Sequence, residues 1–245
     1  MKVSEFFLTI YFWSLSVICI LVTYVTLLVL YPFISQKTFS RIYEVMIGYT
    51  MLYLMLIPGF WSFKITDYRR DKSWKDKRFV MVANHLSFID SLISSSLPIM
   101  KKFMIAELFT KIVIFGWLTR NAGFVHADRN KPDVNKDAVD RAVSALNDGS
   151  SMFLYPLGYR QLTPNDLGEF KTGAFRIAKA TGLPILPITI KNTEKGMRFG
   201  AIVGFADLEM IIDEPFYVHT DDYKMYANEC KKIISSRLDN YNKTD

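Results

Sequence analysis

Cysteine and histidine are both scarce, with two and three copies in 245 residues. Cys19 lies inside an apolar stretch and Cys230 near the end, so the chain has neither a disulfide framework nor the close ligand spacing of a zinc site. Two unpaired thiols suit a reducing compartment. No metal cluster or prosthetic-group motif is visible, and no cofactor is expected. Long basic runs are also missing. The formal charge is +6, yet acidic residues are interspersed among the basic ones, which excludes a nucleic-acid-binding arm and leaves attraction to anionic lipid or acidic substrates. There is no internal repeat and no low-complexity segment.

The longest absence is of charge. From Phe6 through Gln36 no residue is charged, more than the roughly 20 apolar residues that cross a bilayer. As one straight helix the stretch would be about 46 Å long against a hydrocarbon core of about 30 Å, so a tilt, a bend near Pro32 or ends resting in the interface must absorb the difference. It is too long for the apolar region of a signal peptide, and no small-x-small cleavage site follows. A second uncharged stretch runs from Val45 to Phe63. Together they predict an N-terminal membrane-embedded helical hairpin.

Lys64 to Arg78 then carries seven basic residues against three acidic ones. The positive-inside tendency puts this flank and the following domain on the cytoplasmic side, at the endoplasmic reticulum in a eukaryote or the inner membrane in a bacterium. Lys37 and Arg41 in the connector argue weakly the other way, a conflict that vanishes if the hairpin enters and leaves by one leaflet. Residues 1–71 are read as the anchor with its basic flank, and 72–245 as the catalytic domain.

Beyond residue 72 short apolar runs alternate with helical patterns. Phe79–Ala83, Lys102–Ala106, Gly123–Ala127, Ser151–Tyr155 and Leu183–Ile190 read as strands; Leu86–Ser96, Leu108–Leu118, Val134–Leu146 and Lys171–Thr181 read as helices. One or two further strands are expected in 201–218, and a closing helix over Asp221–Leu238. The alternation predicts an α/β domain with a central mixed sheet flanked by helices.

The chemistry gathers in Asn84-His85-Leu86-Ser87-Phe88-Ile89-Asp90, directly after the first of these strands. A histidine at a strand end serves as a general base near neutral pH, and a carboxylate on its other ring nitrogen fixes the tautomer and stabilises the imidazolium. Five positions of separation allow His85 and Asp90 to converge if the first lies in the turn and the second in the opening turns of the helix.

Asn-His-x4-Asp resembles the first motif of the glycerophospholipid acyltransferase family. Three more motifs follow in that family's order. Gly123-Phe124-Val125-His126-Ala127-Asp128-Arg129 resembles the second, Tyr155-Pro156-Leu157-Gly158-Tyr159-Arg160 the third, and Leu183-Pro184-Ile185-Leu186-Pro187-Ile188 the fourth, with Phe170-Lys171-Thr172-Gly173-Ala174 between the last two. The resemblance covers about residues 79 to 190.

It implies acyl transfer from acyl-CoA, as donor substrate, to a lysophospholipid hydroxyl, with membrane lipids as the further partners. His85 is then the general base and Asp90 its orienting carboxylate. Arg129 and Arg160 would grip the acceptor's phosphate, Lys171 would add a point charge, and Gly158 would permit close backbone approach. The oxyanion donor is not identified, a backbone amide near the helix start being one candidate.

The third motif departs from the usual Phe-Pro-Glu-Gly-Thr-Arg mildly at Tyr155 and sharply at Leu157 and Tyr159. The resemblance points first to lysophosphatidate as acceptor, giving phosphatidate, and these departures keep open glycerol 3-phosphate, another lysophospholipid or a lipid without phosphate, and also a non-catalytic lipid-binding relative. His126, where the motif usually has an apolar residue, is expected to be structural rather than part of the acceptor site.

Overall fold

The computed structural model describes residues 2–56, 61–128, 132–161, 163, 166–198 and 201–239. The chain opens with α1 (Val3–Leu30), a short 3-10 turn over Tyr31–Phe33, and α2 (Gln36–Leu56). The remainder alternates: β1 (Trp61–Asp67), β2 (Val80–Ala83), α3 (Ile89–Ser95), β3 (Lys101–Ala106), α4 (Val113–Asn121), β4 (Val125–Ala127), α5 (Pro132–Ala145), β5 (Ser151–Leu154), α6 (Gly173–Thr181) and β6 (Ile185–Lys191). A small excursion, α7 (Thr193–Gly196), β7 (Met197–Arg198) and β8 (Ile202–Val203), precedes β9 (Ala206–Ile212) and the closing α8 (Tyr223–Asp239).

Seven strands form one sheet in the order β1-β9-β6-β2-β5-β3-β4. The five from β6 to β4 are parallel; β9 pairs antiparallel with β6, and β1 runs parallel to β9. The sheet is therefore mixed, and its central strands are apolar on both faces, as helix-covered parallel strands must be. The pleat sorts β2: Met81 and Ala83 join the core under α1 and α3, while Val80 and Val82 face the core under α5, α6 and α8.

Two element boundaries differ from the sequence reading. The basic flank does not simply lie beside a membrane: its first residues are the edge strand β1, and Arg69 is only 2% exposed. Arg69 bonds Asp67 at 2.7 Å and lies 3.8 Å over the Trp74 ring, so it pins the loop instead of meeting lipid. The second uncharged stretch, expected over Val45–Phe63, is divided between the end of α2 and the start of β1.

Among the described residues one helical run, Val3–Phe33, is long and apolar enough to cross a membrane. It is attached along a stripe. Phe12, Ser16, Thr23 and Leu27 are buried at helical spacing, while Phe7, Val17, Ile18, Val22, Val25 and Val29 stand more than half exposed. Its N-terminal half is tied to the β7–β8 excursion by three polar contacts. Glu5 pairs with Arg198, Thr9 Oγ1 accepts from the Val203 N–H at 3.0 Å, and Trp13 Nε1 donates to the Ala201 carbonyl at 2.9 Å.

Candidate active site

Strands β2 and β5 are parallel neighbours, with Val82 opposite Leu154. The residues that follow them, His85 and Tyr155, therefore emerge side by side at the carboxyl edge of the sheet, where ligands of open α/β folds bind. Their rings stack at 4.0 Å between centroids and 11° between planes. Burial, and then the Asp90 charge, push the Tyr155 phenol well above its ordinary range, so it faces His85 as a neutral ring.

The helix expected from Leu86 begins only at Ile89, because the preceding residues form a turn folded around the Asp90 carboxylate. One oxygen, Oδ2, lies 2.7 Å from His85 Nδ1 and accepts the backbone N–H groups of Leu86 at 2.6 Å and Ser87 at 2.8 Å. Asp90 is 0% exposed, whereas the His85 side chain keeps 17% of its surface open. A buried carboxylate so placed favours Nδ1–H on His85, which leaves Nε2 as the basic nitrogen. The Leu86 and Ser87 amides, near the helix start that was one candidate source of an oxyanion donor, are committed to Asp90.

Two further side chains hold the turn. Asn84, 1% exposed, donates from Nδ2 to the Ile190 carbonyl at 2.8 Å and accepts the Ile190 N–H at 2.7 Å, clamping the exit of β2 to β6. Gln161 accepts the His85 N–H on Oε1 at 3.1 Å, and its own N–H donates to the His85 carbonyl at 2.7 Å. Sequence reasoning missed Gln161; its only signal is that it directly follows the third motif.

His85 opens on a cleft of about 2080 Å3. Gly158, Arg160 and Lys171 line the same cleft. Gly158 has φ +75°, a conformation that favours glycine, and a Cβ there would lie 3.3 Å from Lys171 Nζ, so the loop passes close to the lysine. Arg160 and Lys171 are exposed, and neither has an ion-pair partner among the described residues. Arg129 lies outside the described residues; its neighbour Asp128 lines the cleft.

The two sharp departures in the third motif separate. Leu157 is 2% exposed, packs with Leu167 and Phe170 in the core and does not line the cleft, whereas Tyr159 does and is 48% exposed. His126 also does not line the cleft; its Nε2 is 3.2 Å from Thr119 Oγ1, and burial lowers its basicity.

The cleft is also lined by apolar side chains, with Tyr43 and Ile47 of α2, Leu92 of α3, and Phe103 and Phe124. Lys101 lines it too, its Nζ donating to the carbonyls of Leu97 at 3.0 Å, Ile99 at 3.2 Å and Ser95 at 3.3 Å. Burial pulls its ammonium down to about 8, against the opposing Glu44 carboxylate. Glu194 lines the cleft with one buried oxygen unbonded among the described residues, and burial raises its carboxyl.

The cleft thus brings together an imidazole bonded to a buried carboxylate, exposed cationic side chains and apolar ones. The acyltransferase family model matches residues 64–191, and the chain belongs to that family. It is 33% identical over 165 residues to a chloroplastic 1-acyl-sn-glycerol-3-phosphate acyltransferase of Brassica napus, covering 66% of this chain and 47% of that protein. With the Escherichia coli 1-acyl-sn-glycerol-3-phosphate acyltransferase it shares 26% identity over 65% of this chain and 66% of that one. The chain thus spans about half the length of the plant relatives. The crystal structure of the 1-acyl-sn-glycerophosphate acyltransferase PlsC from Thermotoga maritima superposes with a TM-score of 0.78 at 20% identity, covering 98% of this chain and 97% of that one, a likeness of fold.

Proposed function

We propose that this chain transfers a fatty acyl group from acyl-CoA to lysophosphatidate, making phosphatidate, with His85 as general base and Asp90 as its orienting carboxylate. The observation that carries the reading is the 2.7 Å contact of His85 Nδ1 with a buried carboxylate whose oxygen is also fixed by two backbone amides. His85 takes the proton of the acceptor hydroxyl as that oxygen attacks the thioester carbon. The tetrahedral intermediate collapses, the C–S bond breaks, and the imidazolium returns its proton to the coenzyme A thiolate. No covalent acyl-enzyme forms.

Arg160 and Lys171 hold the acceptor's phosphate beside Gly158, with Arg129 as a further expected contact. The acyl chain lies along the apolar wall toward Ile47 and Phe103. The α1–α2 hairpin keeps the enzyme on the membrane that holds its lipids, with α1's exposed apolar surface in the bilayer.

The test is release of free coenzyme A by detergent-solubilised protein given oleoyl-CoA and lysophosphatidate, beside His85→Ala. Release by wild type alone, with phosphatidate as product, is the expected result; equal release by the variant overturns the base assignment. A second reading, a different acceptor, rests on Tyr159, the larger of the two departures from the third motif that line the cleft. A panel with glycerol 3-phosphate, other lysophospholipids and a non-phosphate acceptor separates the two.

A further inference from the structure

The segment leading from β3 into α4 holds four large apolar side chains in solvent. Leu108, Phe109, Ile112 and Val113 are 67%, 38%, 53% and 79% exposed. They sit on a 3-10 turn over Glu107–Lys111 and on the residues that start α4. The turn is held against that helix. A Cβ on Gly116 would collide with the Thr110 carbonyl oxygen, and Arg120 donates to the same oxygen at 3.2 Å. The four side chains are thus presented outward by a packed support, although folding left to itself favours their burial.

That support is continuous with the hairpin. Leu118 and Ala122 of α4 pack with Leu27, Phe39 and Tyr43, and the Trp117 ring contacts Tyr24, Tyr31 and Phe39 at 5.4 to 5.5 Å. Close by, Tyr31 and Phe33 at the hairpin's bend are 50% and 81% exposed. Leu108, Phe109 and Lys111 also line the cleft, so this patch is part of its rim.

We propose that Leu108, Phe109, Ile112 and Val113 form a second bilayer contact, inserted in the membrane interface beside the hairpin, so that the cleft opens directly onto lipid. The inference rests on the membrane embedding of the hairpin proposed above. A bilayer suits this patch because it continues the hairpin's own apolar surface and carries Lys111, whose stem can lie along it while the ammonium meets anionic headgroups. With the rim seated in lipid, an acyl chain slides from the leaflet to the apolar wall without being exposed to water.

The test uses the full chain with Cys19→Ala and Cys230→Ala, carrying one new cysteine at a time labelled with an environment-sensitive fluorophore. The sites are Val113→Cys on the patch, Val25→Cys on the exposed face of α1, and Met225→Cys on α8 as a reference in water. Each is reconstituted in phosphatidylcholine–phosphatidylglycerol vesicles whose acyl chains carry a quencher. Quenching at 113 like that at 25, with none at 225, is expected. Quenching at 25 without 113 overturns this inference and leaves the anchored hairpin standing; quenching at neither removes both.

A functional arm uses Ile112→Asp with Val113→Asp, positions that do not line the cleft. Aspartate at a helix start favours folding. Transfer to vesicle-embedded lysophosphatidate should fall by about tenfold, while transfer between short-chain, water-soluble substrates is unchanged. No fall, or an equal fall on both, overturns the proposal.

Discussion

Asp90→Asn removes one charge and leaves the shape of the site. The Asp90 oxygen that meets His85 Nδ1 also accepts two backbone N–H groups, at 2.6 and 2.8 Å. An asparagine must keep its carbonyl oxygen there, since its NH2 group would point donors at donors. His85 therefore retains Nδ1–H, and its basic nitrogen still faces the cleft. What disappears is the attraction between carboxylate and imidazolium. For charges about 4 Å apart in an effective dielectric of about 20 this is about 4 kcal/mol, or about a thousandfold in kcat. Inverting the tautomer, as the corresponding change does in serine proteases, costs about ten thousandfold.

The other oxygen, Oδ1, is buried without a hydrogen-bond partner among the described residues. An amide nitrogen placed there loses its water, which should lower folding stability by about 1–3 kcal/mol. Steady-state coenzyme A release gives kcat and KM for both substrates, and thermal unfolding of the same preparation gives stability. A variant with wild-type kcat, or one changed only in KM, would refute stabilisation of the imidazolium by the Asp90 charge.

Three further outcomes are expected. Asn84→Ala strands the buried Ile190 N–H and carbonyl it now satisfies, so stability should fall by about 3 kcal/mol and kcat with it, as read by denaturant unfolding and the release assay. Leu157→Glu, which restores the family's usual residue, should destabilise the fold without raising kcat or changing acceptor choice, because this side chain sits in a core with Leu167 and Phe170; improved acceptor turnover would refute that. Lys101, drawn from its ordinary 10.5 to about 8 by burial, binds fewer protons folded than unfolded between those values. Stability should therefore rise with pH from about 8 to about 10.5, by at most about 3 kcal/mol, a slope that Lys101→Met removes.

Much of the molecule was legible because local pattern and tertiary need agree. The strands over Phe79–Ala83, Lys102–Ala106 and Ser151–Tyr155 appear within a residue or so of their expected limits, since a strand covered on both faces must be an apolar run wherever it lies. The expected helix over Leu108–Leu118 is interrupted at Ile112, where the chain turns out of the 3-10 segment into α4. Strand β1 escaped because half of it sits on an exposed edge and reads Trp-Ser-Phe-Lys-Ile-Thr-Asp, too polar to separate from the basic flank. Gln161 was invisible because its partner, the His85 backbone, is 76 residues away.

By itself the sequence determined which chemical groups are available and in what order: an uncharged N-terminal stretch, a histidine and an aspartate five positions apart after a strand, and the glycine and basic residues of the later motifs. Those are properties of side chains and of short-range periodicity, which a linear string carries in full. Only the tertiary structure decided that Gln161 holds the His85 backbone, that Tyr155 lies against the imidazole, and that Leu157 and Tyr159 point to different surroundings. These depend on the parallel pairing of β2 with β5 and on helices packed across the sheet. Such contacts join residues far apart in the chain, and their geometry is fixed only when the core closes around them.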